Sequence, residues 1–266
     1  MTRLLFHLRL FRRMLYMHNR ANVTYRGDFW LKILGLALRN VVGIVIVFAL
    51  FSRVTVLAGW TRPEVMMLYA LAIAPRGVLQ LFCNGAWQLR TYIQRGQLDQ
   101  FLTRPLSPVF QTLTLTMSIE GLGTLLVALL AFGSGYAELG LGWGPGQWLY
   151  LLVAIAGGTL LAVSLDVGMH ALVFWSRDAG QLQWFVEQTA EFAQYPLGLY
   201  HRTIQVALST ALPFAFVSFY PLAMLLGKPD GSVALALLSP LVGILFAFLM
   251  SRIWNAGLAR YQSTGN

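Results

Sequence analysis

Six apolar stretches, each close to the length that crosses a lipid bilayer, dominate this chain and leave it one class of fold. They run roughly over Trp30–Ser52, Glu64–Gln88, Pro108–Phe132, Gln147–Trp175, Thr203–Leu226 and Val233–Ile253. The hydrocarbon core needs about 20 apolar residues of helix to cross it. Of 266 residues 57% are hydrophobic and only 11% charged, too apolar for a soluble domain of this length. The expectation is an all-α polytopic membrane protein with about six transmembrane helices, forming one domain over residues 1–266.

Basic residues orient these spans. Of the nineteen Lys and Arg, fourteen fall in segments that would share one side: seven before or at the start of the first span (Arg3 to Lys32), Arg90, Arg95 and Arg104 between spans two and three, Arg177 and Arg202 between spans four and five, and Arg252 and Arg260 at the end. Arg53, Arg62 and Lys228 fall on the other side. An excess of basic residues marks the cytoplasmic side, so both termini are read as cytoplasmic. The same basic residues give a net charge of +9. They are scattered at the ends of apolar runs and form no aromatic-interleaved patch, so nucleic acid is not the expected partner.

Before the first span, Leu4, Leu8, Phe11 and Leu15 make one apolar stripe with arginines off it. That pattern predicts an amphipathic helix over 1–24 lying on the lipid headgroups. No small-residue cleavage site follows it, so it does not read as an export signal. The single cysteine, Cys83, lies in an apolar run and excludes a disulfide framework.

One polar, proline-closed interval, RGQLDQFLTRPLSP at Arg95–Pro108, interrupts the first half. Leu98, Phe101 and Leu102 fall on one side of a short helix, and Arg104-Pro105 stops it. The segment from Asp178 to Gln194 has a second apolar stripe, Leu182, Phe185, Thr189 and Phe192, and reads as cytoplasmic. Pro213 and Pro221 make the fifth stretch a kinked or broken helix, with Pro221–Gly227 near the outer surface and a re-entrant course open to it.

Catalytic signatures are missing. Neither Lys32 nor Lys228 lies in a Walker A loop, so any ATP used must be hydrolysed by another chain. The glycines Gly140 to Gly146 read as a turn. The four histidines lack acidic partners at ligand spacing, and no metal site is expected. Four ionisable residues, Arg39, Arg76, Glu120 and Asp166, lie inside apolar stretches. Each costs roughly 2.5–3.5 kcal/mol at a helix centre, so each must face protein or water. The positions predict an Arg76–Glu120 pair, as a polar gate or a structural ion pair, and an Asp166–His170 contact at i, i+4.

Three runs carry a family resemblance: YRGDF at Tyr25–Phe29, GQLDQFLTRPLSPVFQ at Gly96–Gln111, and QYPLGLY at Gln194–Tyr200 followed by LPFAFVSFYPLAMLLG at Leu212–Gly227. The chain resembles bacterial permease subunits of the ABC-2 type exporters, six-span proteins of the inner membrane that pair with a separately encoded ATPase. The resemblance implies a coupling helix over 94–104 and a dimer, with a second copy or a paralogue, that encloses the translocation path. It also implies that ATP and Mg belong to the ABC ATPase, leaving no cofactor in this chain, and that membrane lipids surround it. On that reading Leu98, Phe101 and Leu102 fill a groove on the ATPase while Arg95, Asp99 and Arg104 orient the contact. The competing reading is an ATP-independent proton-coupled carrier or membrane scaffold using Arg76, Glu120 and Asp166.

Overall fold

The computed structural model describes residues 26–114, 116, 118–176 and 180–261. The expected interfacial helix at 1–24 lies outside the described residues. The rest is helical: α1 (Arg26–Phe51), α2 (Arg62–Cys83), α3 (Leu89–Gln94), α4 (Asp99–Leu102), α5 (Pro108–Thr114), α6 (Gly121–Glu138), α7 (Pro145–Ala171), α8 (Gly180–Glu191), α9 (Arg202–Ser209), α10 (Phe219–Leu225) and α11 (Val233–Leu258). Five helices, α1, α2, α6, α7 and α11, are long and apolar enough to cross a bilayer, with α7 extended to Phe174 by a 3-10 turn. For orientation, the end where α1 and α2 join is called the crown, and the end carrying α3, α4 and α5 is the base.

Small residues set the helix crossings. A side chain on Gly77 would collide with Leu125, and one on Gly135 with Pro63 and Met67, so α2 and α6 close on each other along their length. Gly157 of α7 faces Pro240 of α11, where a Cβ would lie 2.6 Å from the proline Cα. Between apolar helices in lipid, close van der Waals packing and interhelical hydrogen bonds replace the hydrophobic drive, and glycine permits that approach. A polar chain adds to it: Asn40 Nδ2 of α1 donates to Thr124 Oγ1 of α6 (3.1 Å), and Thr124 Oγ1 donates to Gln80 Oε1 of α2 (3.1 Å).

The third apolar stretch is not one helix. Its first part is the short α5, and the crossing helix begins at Gly121. Gln111, Thr112 and Thr114 are buried at the base, where Gln111 Nε2 donates to the carbonyls of Phe101 (2.9 Å) and Leu106 (3.0 Å). Those residues secure the base and do not span.

The second half departs further from the linear reading. Helix α7 ends at the base, where Phe174 packs edge-on against Trp254 near the end of α11. Helix α11 starts at the crown, where Tyr150 Oη donates to the Ala236 carbonyl (2.7 Å). The chain between them therefore crosses the bundle once. Residues 180–200 make that crossing: Glu187 faces Arg76, Ser218 Oγ donates to the Ala193 carbonyl (2.7 Å), and Gly198 lies against Ala58 of the crown loop. Helix α8 rises about 18 Å, and the two 3-10 turns Phe192–Gln194 and Leu197–Leu199 with the extended Tyr195-Pro196 between them carry the chain on toward the crown. Helices α9 and α10 are bent by 70°. They dip from the crown to Pro213–Val217, where Val217 meets Gly158 midway along α7, and climb back to the crown. There Lys228 Nζ pairs with Glu64 Oε2 at 2.7 Å and Trp60 Nε1 donates to Asp230 Oδ2 at 3.2 Å.

So 180–194, the described part of the interval 178–194 expected outside the membrane, belongs to the crossing, and 203–226, expected to span, begins and ends at the crown as a re-entrant hairpin. Hydropathy averages over both faces of a helix. Helix α8 has one apolar outward face, with Leu182, Trp184 and Phe185 exposed, and one polar inward face, so its average is low. Protein buries the second part of the hairpin, 213–223, which gives it the apolar composition of a span, while most of α9 stays exposed. Arg202 thereby joins Arg53, Arg62 and Lys228 at the crown.

This topology has a direct test. With Cys83→Ser as background, cysteines placed at Leu199 and Arg53 should react with a membrane-impermeant maleimide from one face of the membrane, and a cysteine at Thr103 from the other. Labelling of Leu199 from the same face as Thr103 would remove the crossing at 180–200.

Candidate functional site

The interior polar residues converge. A cavity of about 380 Å³ lies inside the bundle and is lined by Arg39, Arg76, Gln80, Glu120, Asp166, Gln183, Glu187 and Gln194, with Ile73, Phe214 and Val217 among its apolar walls. A second cavity of about 220 Å³ shares Arg39, Arg76, Gln80 and Gln194 and adds Asn40, Tyr69, Glu191 and Tyr195. All four ionisable residues picked out inside the apolar stretches, Arg39, Arg76, Glu120 and Asp166, line the larger cavity. That is the arrangement their insertion cost demands.

The pairing differs from expectation. Arg76 Nη2 faces Glu187 Oε2 of α8 at 3.8 Å, a contact through the cavity wall. Glu120 is the residue just before α6, close to the base and away from the middle of a span, because the helix that crosses starts at Gly121. It lines the same cavity as Arg76 with no ion pair between them among the described residues. Asp166 and His170 do meet: His170 Nδ1 lies 3.4 Å from Asp166 Oδ1 and 2.7 Å from the Asp166 carbonyl oxygen. His170 is buried, and the second Asp166 oxygen, Oδ2, is buried without a hydrogen-bond partner.

Sequence reasoning missed Glu187 and Glu191. The signal is there: Gln183, Glu187, Glu191 and Gln194 recur at i, i+4, i+8 and i+11, a polar stripe opposite the apolar one. A stripe of that kind marks either a solvated face or the wall of an internal polar space, and only the packing distinguishes them.

At the base, the interval from 94 to 104 is not a single helix. Gly96, at φ +66°, turns the chain after α3, and α4 is one turn long. Leu98 and Phe101 are 0% and 4% exposed, packed with Leu89, Val167, Ala171 and Trp254 of the same chain. Phe101 also lies against Tyr92, ring centroids 5.4 Å apart. Both were expected to enter a partner's groove, and both instead anchor the segment to α7 and α11. Arg95, Gln100, Leu102 and Arg104 face outward, and Asp99 is half-buried. Burial, and the Asp99 carboxylate beside it, push the Tyr261 phenol above its ordinary value.

No group of His, Cys, Asp and Glu among the described residues is arranged to hold a metal ion. A model of the family described as "ABC-2 family transporter protein" matches residues 37–265. No curated protein and no solved structure matches the chain.

The side chains of Arg76 and Glu187 are 34% and 23% exposed, so their contact is partly screened. A charge reversal measures it. Arg76→Glu and Glu187→Arg should each lower the thermal stability of the solubilised protein, and the double variant should recover about 1 kcal/mol of that loss. Additive losses in a double-mutant cycle would dissolve the pair.

Proposed function

We propose, from the premise that this chain belongs to the ABC-2 family of transporter proteins, that it is the membrane subunit of an ATP-driven exporter whose ATPase is a separate chain. It is a multi-pass membrane permease, and its own sequence holds no nucleotide-hydrolysing motif. Energy therefore enters through contact with a partner. The reading places the base on the cytoplasmic side of a bacterial inner membrane, in line with the basic residues clustered there.

The observation that carries the reading is the sideways opening of the polar cavity. Arg39 lines both cavities and is exposed on α1, halfway along the helix, where every other exposed residue from Leu34 to Leu50 is apolar. Glu187 and Glu191 approach the same opening from α8. Charges at that depth are costly against hydrocarbon, at roughly 2.5–3.5 kcal/mol each. A second permease, copy or paralogue, with its own polar opening turned to this one removes that cost and encloses a polar path between the two.

The base supplies the lever. Leu102, with Arg95, Gln100 and Arg104 around it, is the surface offered to an ATPase. Leu98 and Phe101 carry its displacement into α7 and α11 through Val167, Ala171 and Trp254, and Gln111 holds the loop to the bundle by two carbonyls. A segment fixed to the bundle in this way transmits a push to the helices, where a loosely attached loop would absorb it.

The test separates docking from folding. The double variant Leu102→Asp, Arg104→Glu should keep its thermal stability within about 0.5 kcal/mol, since exposed positions contribute little. It should lose co-purification with the ATPase. Phe101→Ala should instead cost about 3–5 kcal/mol of stability. Unaltered co-purification of the double variant would remove the proposed docking surface.

A further inference from the structure

A third concave feature lies apart from the two polar cavities, on the outer face of the bundle near the base. It is a groove of about 440 Å³ lined by Leu172, Trp175, Arg252, Ile253 and Ala256. Its construction is specific. Gly257 has no side chain, and a Cβ there would lie 2.5 Å from Phe174 and 2.9 Å from Trp175, so both rings close onto α11, and Trp175 makes one wall of the groove. Ile253 and Ala256 form the floor, and Leu172 completes the apolar lining.

Arg252 is out of keeping with that lining. It lies nineteen residues after Val233, about 29 Å along α11 at 1.5 Å per residue, which puts it at the edge of the hydrocarbon. An arginine at such a level ordinarily extends toward water. Here its guanidinium lies over the ring of Phe248, one turn back toward the middle of the helix, 5.8 Å from the centroid, and Phe248 is itself exposed on the outer face. Among the described residues no carboxylate forms an ion pair with Arg252. The cation thus stands beside an apolar groove, at headgroup depth, facing outward from the bundle.

We propose that this groove binds one anionic phospholipid, with its phosphate on Arg252 and an acyl chain along Leu172, Ile253 and Ala256. The guanidinium fork donates charge-assisted hydrogen bonds to the phosphodiester, and an anionic lipid is favoured over a zwitterionic one because its headgroup has no ammonium of its own to compensate that charge and repel the arginine. The groove supplies the second requirement of a lipid site, an apolar depression open on the outer face beside the cation. Trp175, 41% exposed at the rim, suits the boundary between headgroups and chains.

Trp175 also reports on occupancy. The full chain is reconstituted in phosphatidylcholine nanodiscs containing brominated phosphatidylglycerol or brominated phosphatidylcholine, and the Trp175 signal is taken as the difference from Trp175→Phe. Half-quenching should require a mole fraction of the brominated anionic lipid roughly tenfold lower than of the brominated zwitterionic one, the size expected of one charge-assisted contact. Arg252→Gln should abolish that preference. In parallel, native mass spectrometry of delipidated protein should show one fewer retained phosphatidylglycerol in Arg252→Gln than in wild type, a readout that needs no tryptophan variant. Equal quenching by the two lipids, or a preference untouched by Arg252→Gln, overturns the proposal. So does loss of the preference on adding millimolar inorganic phosphate, which would assign the guanidinium to a free anion. None of these outcomes depends on the ATPase or on transport.

Discussion

The structure depends on keeping charge away from hydrocarbon. Arg39, Arg76, Asp166, Glu187 and Glu191 all lie at depths where a bare charge is costly, and the bundle accommodates them by turning them toward shared cavities. Much of the architecture follows from this. Helix α8 can cross only because its polar stripe faces those cavities while Leu182, Trp184 and Phe185 face outward. The re-entrant hairpin closes the space from the crown, with Phe214 and Val217 in the cavity wall. Its return is fastened at the crown by Lys228, which pairs with Glu64 and donates to the Gly59 carbonyl at 2.9 Å.

The base works by the opposite rule. There the unexpected feature is apolar burial inside a polar segment. Leu98 and Phe101 pack against α7 and α11 with Trp254, so the interval between the second and third spans is attached to the second half of the molecule as well as the first. A contact made on its outward side at Leu102 therefore reaches helices on both sides of the polar cavity. This joins the surface where energy is proposed to enter to the space that it must reshape, through side chains in direct contact and without a long chain of intermediates.

Small residues make both arrangements possible. Gly77, Gly121 and Gly135 bring α2 and α6 together, and Gly157 and Gly243 bring α7 and α11 together. The cavity then lies between two tight pairs, bridged by α8 and the hairpin.

What the sequence determined by itself was the helical, multi-spanning class, since about 20 apolar residues in a row have few other stable forms in lipid. It also determined which charges inside those stretches needed company, because insertion cost depends on residue type and depth alone. It could not say which partner each would find. Arg76 meets Glu187, more than a hundred residues away, only because α8 crosses beside α2. The courses of 180–200 and 202–225 were likewise decided by packing. Hydropathy scores a polar-lined crossing as a surface helix and a hairpin buried over 213–223 as a span, because it registers how apolar a segment is and not what covers each of its faces.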